Sequence, residues 1–87
     1  MSQFEGAVIR EQGVTFAVVV VRPSILDCTL EANDAIQSFQ PVFPGLPIVL
    51  MAQDGRGRPT YYGRRDLSKF MANVPLRNVP WRRYTLN

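Results

Sequence analysis

The sequence predicts a single α/β domain, or alternatively an α+β domain, with elements in the order ββαββα. The chain has 87 residues, 46% of them hydrophobic, which is enough for one core. Two apolar runs, residues 14–21 and 48–52, have the length and composition of buried strands. Each run is followed by an amphipathic segment of helical period. We therefore expect residues 1–87 to form one domain with a four-stranded mixed sheet and two helices.

Turn-forming dipeptides divide the strand-like runs into two predicted β-hairpins. The first joins residues 4–11 to 14–21 through Gln12-Gly13, and the second joins 48–52 to 58–62 through Asp54-Gly55. Strands that are apolar on both faces are typically central and parallel, so we expect 14–21 and 48–52 to be parallel neighbours joined by a right-handed crossover. The runs 4–11 and 58–62 are then the sheet edges.

Two amphipathic segments predict the helices. The first begins at a cap formed by Asp27 or Thr29 and ends at Gln40, and the second spans about Arg64 to Asn73. Their apolar residues recur at i, i+3, i+4 and i+7, as Ala32, Ala35, Ile36 and Phe39 in the first helix and Leu67, Phe70, Met71 and Val74 in the second. The pattern leaves open whether the helices cover both sheet faces or share one face, with the other buried in a dimer.

The second half of the chain resembles the carboxyl-terminal half of the thioredoxin-like fold. The resemblance is carried by Gly45-Leu46-Pro47 before a strand, the turn at Asp54-Gly55, and the segment from Asp66 to Met71. It implies a fold but no redox activity, because Cys28 is followed by Glu31 where that family's Cys-x-x-Cys site has its second cysteine. If Pro47 corresponds to the family's cis proline, the resemblance implies a cis Leu46–Pro47 bond. It also implies a further strand between the two apolar strands.

Residue usage excludes several functional classes. The chain has no histidine and one cysteine, which leaves no common metal-ligand set, no internal disulfide and no base for a nucleophilic triad. We therefore expect no metal, no cofactor and no catalytic residue, so the protein is not expected to be an enzyme. The longest apolar run, Phe16 to Val21, is shorter than the roughly 18 residues of a membrane helix, and no signal-like segment opens the chain. No membrane association and a cytoplasmic location are expected.

Cys28 is the candidate reactive thiol. A helix N-terminus favours the thiolate, but the neighbouring Asp27 and Glu31 oppose it. We expect Cys28 to behave as a small buried apolar residue. Iodoacetamide should then label it little faster than a model thiol.

Positive charge is concentrated in the second half of the chain. Residues 1–53 have two arginines and five carboxylates, a net charge of −3, whereas residues 54–87 have eight cations and two carboxylates, a net charge of +6. Seven of those eight cations are arginines, which bind phosphate or carboxylate in bidentate fashion. The candidate anion-binding residues are Arg56, Arg58, Arg64, Arg65, Arg82 and Arg83.

Aromatic residues accompany these arginines as candidate stacking or interface residues. Tyr61 and Tyr62 are adjacent in a strand, so they face opposite sides and at most one can join a stacking surface. Trp81 and Tyr84 are three residues apart and would share one face of a helical turn that begins at Pro80. The tail is then either a clasp that closes over the sheet or an interface anchor.

The preferred functional hypothesis is a non-catalytic binding or regulatory module. It would act through protein–protein contacts or self-association as a homodimer, using an exposed sheet face or the aromatic tail. The alternative is binding of nucleic acid or another polyanion through the arginine-rich hairpin and the C-terminal tail.

Overall fold

The computed structural model describes residues 2–11 and 13–86, which form a five-stranded mixed sheet and three α-helices. The strands are β1 (Ser2–Glu11), β2 (Val14–Val20), β3 (Ile48–Gln53), β4 (Pro59–Tyr62) and β5 (Arg82–Leu86). The helices are α1 (Pro23–Leu26), α2 (Thr29–Phe39) and α3 (Arg65–Ala72), with 3-10 turns at Gln40–Val42 and Leu76–Asn78. An α+β domain is confirmed. The structure has one strand and one helix more than predicted, because α1 and β5 were not predicted.

The predicted pairing of the two apolar strands is confirmed. The strand order is β4-β3-β2-β1-β5, and β2 runs parallel to β3 with Ala17 opposite Ile48 and Val20 opposite Met51. The backbone N–H of Ala17 also donates to the carbonyl of Pro47 at 2.9 Å. Both strands are buried on both sides because each lies between two neighbouring strands and beneath helices.

The structure corrects the prediction for the C-terminal tail and for one sheet edge. Residues 82–86 form β5, which pairs antiparallel with β1 from Ser2 opposite Leu86 to Gly6 opposite Arg82. Residues 4–11 are therefore internal to the sheet, and the predicted helical turn beginning at Pro80 is wrong. Tertiary contacts explain the strand, because the Tyr84 ring lies 5.5 Å from that of Phe4, a contact that local spacing does not reveal.

Helices cover both faces of the sheet, which settles the question that the sequence left open. One core cluster lies between the sheet and α3 and comprises Ala7, Phe16, Val18, Val49, Met51, Leu67, Met71 and Val79. The other lies between the sheet and α2 and comprises Ala17, Val19, Ala32, Phe43, Ile48 and Leu50. Helices thus cover most of the apolar surface of both faces, while Val8 in β1 stays exposed; the predicted interface on an exposed sheet face stays a prediction.

The amphipathic stripes of the two longer helices are confirmed. Ala32 is fully buried in α2, and Ala35, Ile36 and Phe39 pack against the same cluster. Leu67 and Met71 are buried in α3, with Phe70 and Val74 packed beside them. None of the helices in the described part of the chain is long and apolar enough to cross a membrane.

Gly63 lies in the short connection between β4, which ends at Tyr62, and α3, which begins at Arg65. Its φ is +154°, and a Cβ atom there would lie 3.0 Å from the carbonyl oxygen of Ile48 and 3.1 Å from the Cα of Val49. A side chain there would require the β3 backbone to move by a few tenths of an ångström, and the positive φ would add strain, so both features favour glycine. Gly63 therefore fixes where α3 begins relative to the end of β4.

Two predictions concern the loops. Gly13 has the left-handed φ of +81° that a tight turn requires, while its partner in the predicted turn, Gln12, lies outside the described residues. No peptide bond in the described residues is cis, so Leu46–Pro47 is trans and the implied cis bond is wrong. The implied strand between the two apolar strands is also wrong, because β2 and β3 are direct neighbours. The thioredoxin-like resemblance itself stays a prediction.

Candidate functional site

The β4 strand is an edge of the sheet, as its Pro59 predicts. The backbone N–H of Asp54 donates to the carbonyl of Arg58 at 3.0 Å, so the backbone groups of Arg58 point toward β3. In an antiparallel ladder, every second residue of a strand points the same way. Thr60 and Tyr62 therefore direct their backbone groups toward β3, and Pro59 and Tyr61 direct theirs outward. The Pro59 carbonyl and the Tyr61 N–H and carbonyl have no further strand beside them within the described residues. We call this outward side of residues 59–62 the β4 edge.

One face of α3 runs beside the β4 edge. Arg65, Ser68, Lys69 and Ala72 are spaced i, i+3, i+4 and i+7, so they form one stripe next to the buried stripe of the same helix. These four residues, here called the α3 stripe, line an open groove of about 500 Å³ together with Pro59, Thr60 and Tyr61. The groove thus has residues of the edge strand β4 as one wall and the α3 stripe, with two cations among its four residues, as the other.

Asp54 organises the hairpin tip that precedes β4. Its Oδ1 accepts hydrogen bonds from the backbone N–H groups of Arg56 (2.8 Å) and Arg58 (2.9 Å), and its Oδ2 accepts one from the Arg58 Nε at 3.2 Å. These bonds lower the pKa of Asp54, with the Arg58 backbone N–H contributing most. The guanidinium of Arg58 is therefore directed back toward its own turn rather than toward the groove.

Arg64 also forms an ion pair, with Asp66. Its Nε and Nη2 donate to the two Asp66 oxygens, each at 2.8 Å. This bidentate pair lowers the pKa of Asp66 and raises the pKa of Arg64, in both cases chiefly through the side-chain hydrogen bonds. The pair lies at the start of α3, where Asp66 also complements the helix dipole.

The cations around β4 outnumber the carboxylates. Arg56, Arg58, Arg64, Arg65 and Lys69 lie at the hairpin tip and along the start of α3, with Asp54 and Asp66 as the acidic residues among them. Five positive charges against two negative charges leave a local excess of three. The ion pairs found in the described residues, Arg58–Asp54 and Arg64–Asp66, do not include Arg65 or Lys69.

Tyr61 and Tyr62 lie on opposite faces of the sheet, as the sequence predicts. Tyr61 packs in the cluster beneath α3, and its buried hydroxyl has no hydrogen-bond partner among residues 2–11 and 13–86. Burial raises the pKa of Tyr61. Tyr62 packs on the α2 side, where its Oη donates to the Asn33 Oδ1 at 3.0 Å. The two rings do not form a shared stacking surface.

Arg82 and Arg83 do not join the other candidate cations. Both lie in β5, at the opposite edge of the five-stranded sheet from β4. Four strand spacings of about 4.8 Å separate the two edges by roughly 19 Å. The six arginines that the sequence suggests as one anion-binding set are therefore divided between two edges.

Trp81 and Tyr84 are also separated, which corrects their predicted common face. Trp81 packs with the cluster beneath α3, and its Nε1 donates to the carbonyl of Leu76 at 3.1 Å. Tyr84 packs with the other cluster, 4.9 Å from the ring of Phe43. Both side chains serve the folded core, which supports a clasp rather than an interface anchor.

Cys28 is exposed, so the prediction that it lies in the interior is wrong. It occupies the N-cap of α2 with extended dihedrals, and its side chain makes no capping hydrogen bond. Its carbonyl accepts the N–H of Ala32 at 2.9 Å. The backbone role of a cap, which places the residue outside the first turn, explains the exposure.

Sequence reasoning missed Lys69, Ser68 and Ala72 as site residues. Their spacing relative to Arg65 is visible in the sequence as a second helical stripe, but its position beside an edge strand depends on the sheet order. Comparison with protein-family models, curated proteins and solved structures finds no match for this chain. Its own residues are therefore the basis for proposing a function.

Proposed function

We propose that this protein is a non-catalytic binding module that recruits a protein partner by adding an extended segment of that partner to the β4 edge. The observation that carries the proposal is the outward-facing backbone of Pro59 and Tyr61 beside a groove of about 500 Å³. In strand addition, backbone hydrogen bonds supply affinity and a neighbouring groove selects side chains. Each such bond contributes about 0.5 to 1.5 kcal/mol.

The protective features of β4 favour selective pairing. The strand has four residues, contains Pro59 and is flanked by arginines, and natural proteins use all three devices to prevent indiscriminate edge pairing. Pro59 removes one donor but leaves three outward backbone groups between residues 59 and 61. Only a segment that complements the surrounding charge gains enough to pair there.

A different chain is a better partner for this edge than a second copy. The β5 edge carries Arg82 and Arg83, and the β4 edge is flanked by Arg56 and Arg65. Edge-to-edge pairing of two copies would therefore bring like charges together, which is unfavourable. Sedimentation at tens of micromolar should give a monomer, and a dimer that is lost on changing the β4 edge would support self-association instead.

A second candidate function is polyanion binding at the same place. The clustering of Arg56, Arg58, Arg64 and Arg65 around β4 favours it. Against it, two of these arginines are already paired with carboxylates, and the tyrosines provide no stacking platform. Anisotropy of labelled oligonucleotides at two salt concentrations tests this candidate, with the double variant Arg56→Ala/Arg58→Ala as the comparison.

The principal test is selection from a displayed library of random extended peptides. The wild-type protein is compared with Ala72→Trp, in which an indole fills the groove from an exposed position at the end of α3. Gln37→Trp, which places the same side chain on the exposed surface of α2, is the matched control. Selected peptides are then titrated into the isotope-labelled protein to map their contacts.

We expect peptides that bind the wild type and Gln37→Trp equally and bind Ala72→Trp about tenfold more weakly. Their titration should shift the Tyr61 amide resonance strongly, because that N–H gains a hydrogen-bond partner. Failure to select any peptide, or shifts that centre on other surfaces such as the exposed Leu30, would overturn the proposal.

A further inference from the structure

We infer that the segment added to the β4 edge is acidic, with two carboxylate side chains two residues apart on the side that faces α3. This inference rests on the proposed function and adds the chemistry of the partner. It follows from two observations. The α3 stripe is positively charged, and the distance between Arg65 and Lys69 along α3 is close to the distance between residues i and i+2 of a strand.

The cations that would meet the segment are Arg65 and Lys69. Both are exposed members of the α3 stripe and both line the groove. Neither belongs to an ion pair of the described residues, and the nearest acidic residue in the sequence, Asp66, is held by Arg64. A carboxylate that enters the groove would therefore meet two cations that form no ion pair with a described carboxylate, although Lys69 also lines a neighbouring cavity with Glu11 and Asp66.

The spacing of these cations fits alternate residues of a strand. Arg65 and Lys69 are four residues apart, which corresponds to about 6 Å along a helix axis at 1.5 Å per residue. Residues i and i+2 of a strand lie on the same face and are about 6.6 Å apart. Two glutamates in a Glu-x-Glu pattern would thus place one carboxylate near each cation.

Ser68 and Ala72 form the rest of the helical wall of the groove and would face the other residues of the added segment. Ala72 gives its far end a small uncharged wall, and the Ser68 hydroxyl already donates to the carbonyl of Arg65 at 3.2 Å. Neither residue requires a charged partner. Charge selection is therefore confined to the two positions opposite Arg65 and Lys69, and the next position on the same face meets a neutral surface.

The test uses capped seven-residue peptides titrated into the isotope-labelled protein at low salt. The probe Val-Thr-Glu-Thr-Glu-Thr-Val reads the same in both directions, so its strand orientation does not affect the pattern. Three matched peptides replace both glutamates by glutamine, replace both by lysine, or place the two glutamates next to each other so that they face opposite sides. A fourth carries N-methyl groups on all of its internal amides, because the amides that face the edge belong to the glutamates in an antiparallel segment and to the threonines in a parallel one. This change removes the donors that strand addition needs in either orientation.

Protein variants provide a second, independent comparison. Arg65→Glu/Lys69→Glu reverses the charge of the α3 stripe, while Arg82→Glu/Arg83→Glu makes the same change of charge at the opposite edge. Circular dichroism and urea unfolding establish that both variants fold. A short oligothymidylate, titrated under the same conditions, represents the polyanion class.

We expect the Glu-x-Glu peptide to bind about five- to tenfold more tightly than the glutamine, adjacent-glutamate and N-methyl peptides. The Arg65→Glu/Lys69→Glu variant should prefer the lysine peptide, whereas the Arg82→Glu/Arg83→Glu variant should behave as the wild type. This reversal of preference distinguishes contact with the α3 stripe from attraction to overall positive charge.

Equal binding of the glutamine and glutamate peptides, with a shift of the Tyr61 amide, would overturn the inference and leave the proposed function standing. Equal binding of the N-methyl peptide would overturn strand addition and both proposals with it. Tighter binding of oligothymidylate that requires Arg65 and Lys69 would assign this edge to polyanions. Absence of binding by the Glu-x-Glu peptide at millimolar concentration would also overturn the inference.

Discussion

The Oη of Tyr62 donates to the Oδ1 of Asn33 at 3.0 Å and so joins the edge strand β4 to helix α2 across 29 positions of sequence. The bond is exposed, so its contribution lies at the low end of the range for protein hydrogen bonds. In a double-mutant cycle of Tyr62→Phe and Asn33→Ala, we expect a coupling of about 0.5 kcal/mol in urea unfolding. Additive effects of the two changes would show that the bond is not formed in solution.

Asp54 should titrate below its ordinary value. The backbone N–H groups of Arg58 and Arg56 hold its pKa below 3.8, in that order of effect. Because the folded-state pKa is lowered, the stability that Asp54 contributes is present above pH 3.8 and is lost as the pH falls through the folded-state pKa. The carboxyl-carbon resonance of Asp54 measures this pKa, and a midpoint at or above 3.8 would contradict the hydrogen bonds of the hairpin tip.

Removal of the Tyr61 hydroxyl should not destabilise the protein. That oxygen is buried without a hydrogen-bond partner in the part of the chain that the structure describes, which is an unfavourable arrangement. We expect Tyr61→Phe to be neutral or to stabilise the protein by up to about 1 kcal/mol in urea unfolding at neutral pH. A loss of more than about 1 kcal/mol would indicate a hydrogen bond in solution that the structure does not contain.

The same substitution changes the pH dependence at alkaline pH. Burial raises the pKa of Tyr61 above 10.0 in the folded state, so above pH 10 the folded state binds more protons than the unfolded state. The associated stability is complete below pH 10 and is lost as the pH rises through the folded-state pKa. Tyr61→Phe should therefore lose less stability than the wild type between pH 9 and about pH 11. Tyr62→Phe is the control for general alkaline effects.

The central part of the fold could be predicted because local composition determines it. Strands β2 and β3 are apolar on both faces, which indicates a buried parallel pair wherever the rest of the chain lies. Strand β5 could not be predicted in this way, since Arg82 to Leu86 is a mixed sequence without a strand pattern. It becomes a strand through β1 and through the contact of Tyr84 with Phe4.

The candidate site shows the same division between local and long-range information. The arginines at the hairpin tip and at the start of α3 could be recognised as a cluster because they are close in sequence. The groove could not be recognised from the sequence. It forms because the α3 stripe lies beside the outward backbone of β4, and that placement depends on Gly63 and on the sheet order. For the same reason, the sequence grouped Arg82 and Arg83 with cations that lie at the opposite edge.

Tyr84 should hold β5 on the sheet. Its ring lies 5.5 Å from that of Phe4 and 4.9 Å from that of Phe43, on the face covered by α2. We expect Tyr84→Ala to cost about 2 to 4 kcal/mol in urea unfolding, since it removes a half-buried ring and two aromatic contacts. Thr85→Ala, at an exposed position of the same strand, should change stability by less than about 0.5 kcal/mol. Equal effects of the two changes would show that β5 is not anchored by its aromatic residue.

Cys28 is at a position where a better capping side chain should stabilise the protein. Its dihedrals, φ −130° and ψ 120°, are those of an N-cap, yet its thiol makes no hydrogen bond to the first turn of α2. Serine is preferred at this position because its hydroxyl oxygen accepts a backbone N–H that otherwise lacks a partner in the helix. We expect Cys28→Ser to stabilise the protein by about 0.5 to 1 kcal/mol in urea unfolding. Cys28→Ala, which removes the sulfur without adding an acceptor, should be no more stable than the wild type, and equal stability of the serine and alanine variants would show that residue 28 does not cap the helix.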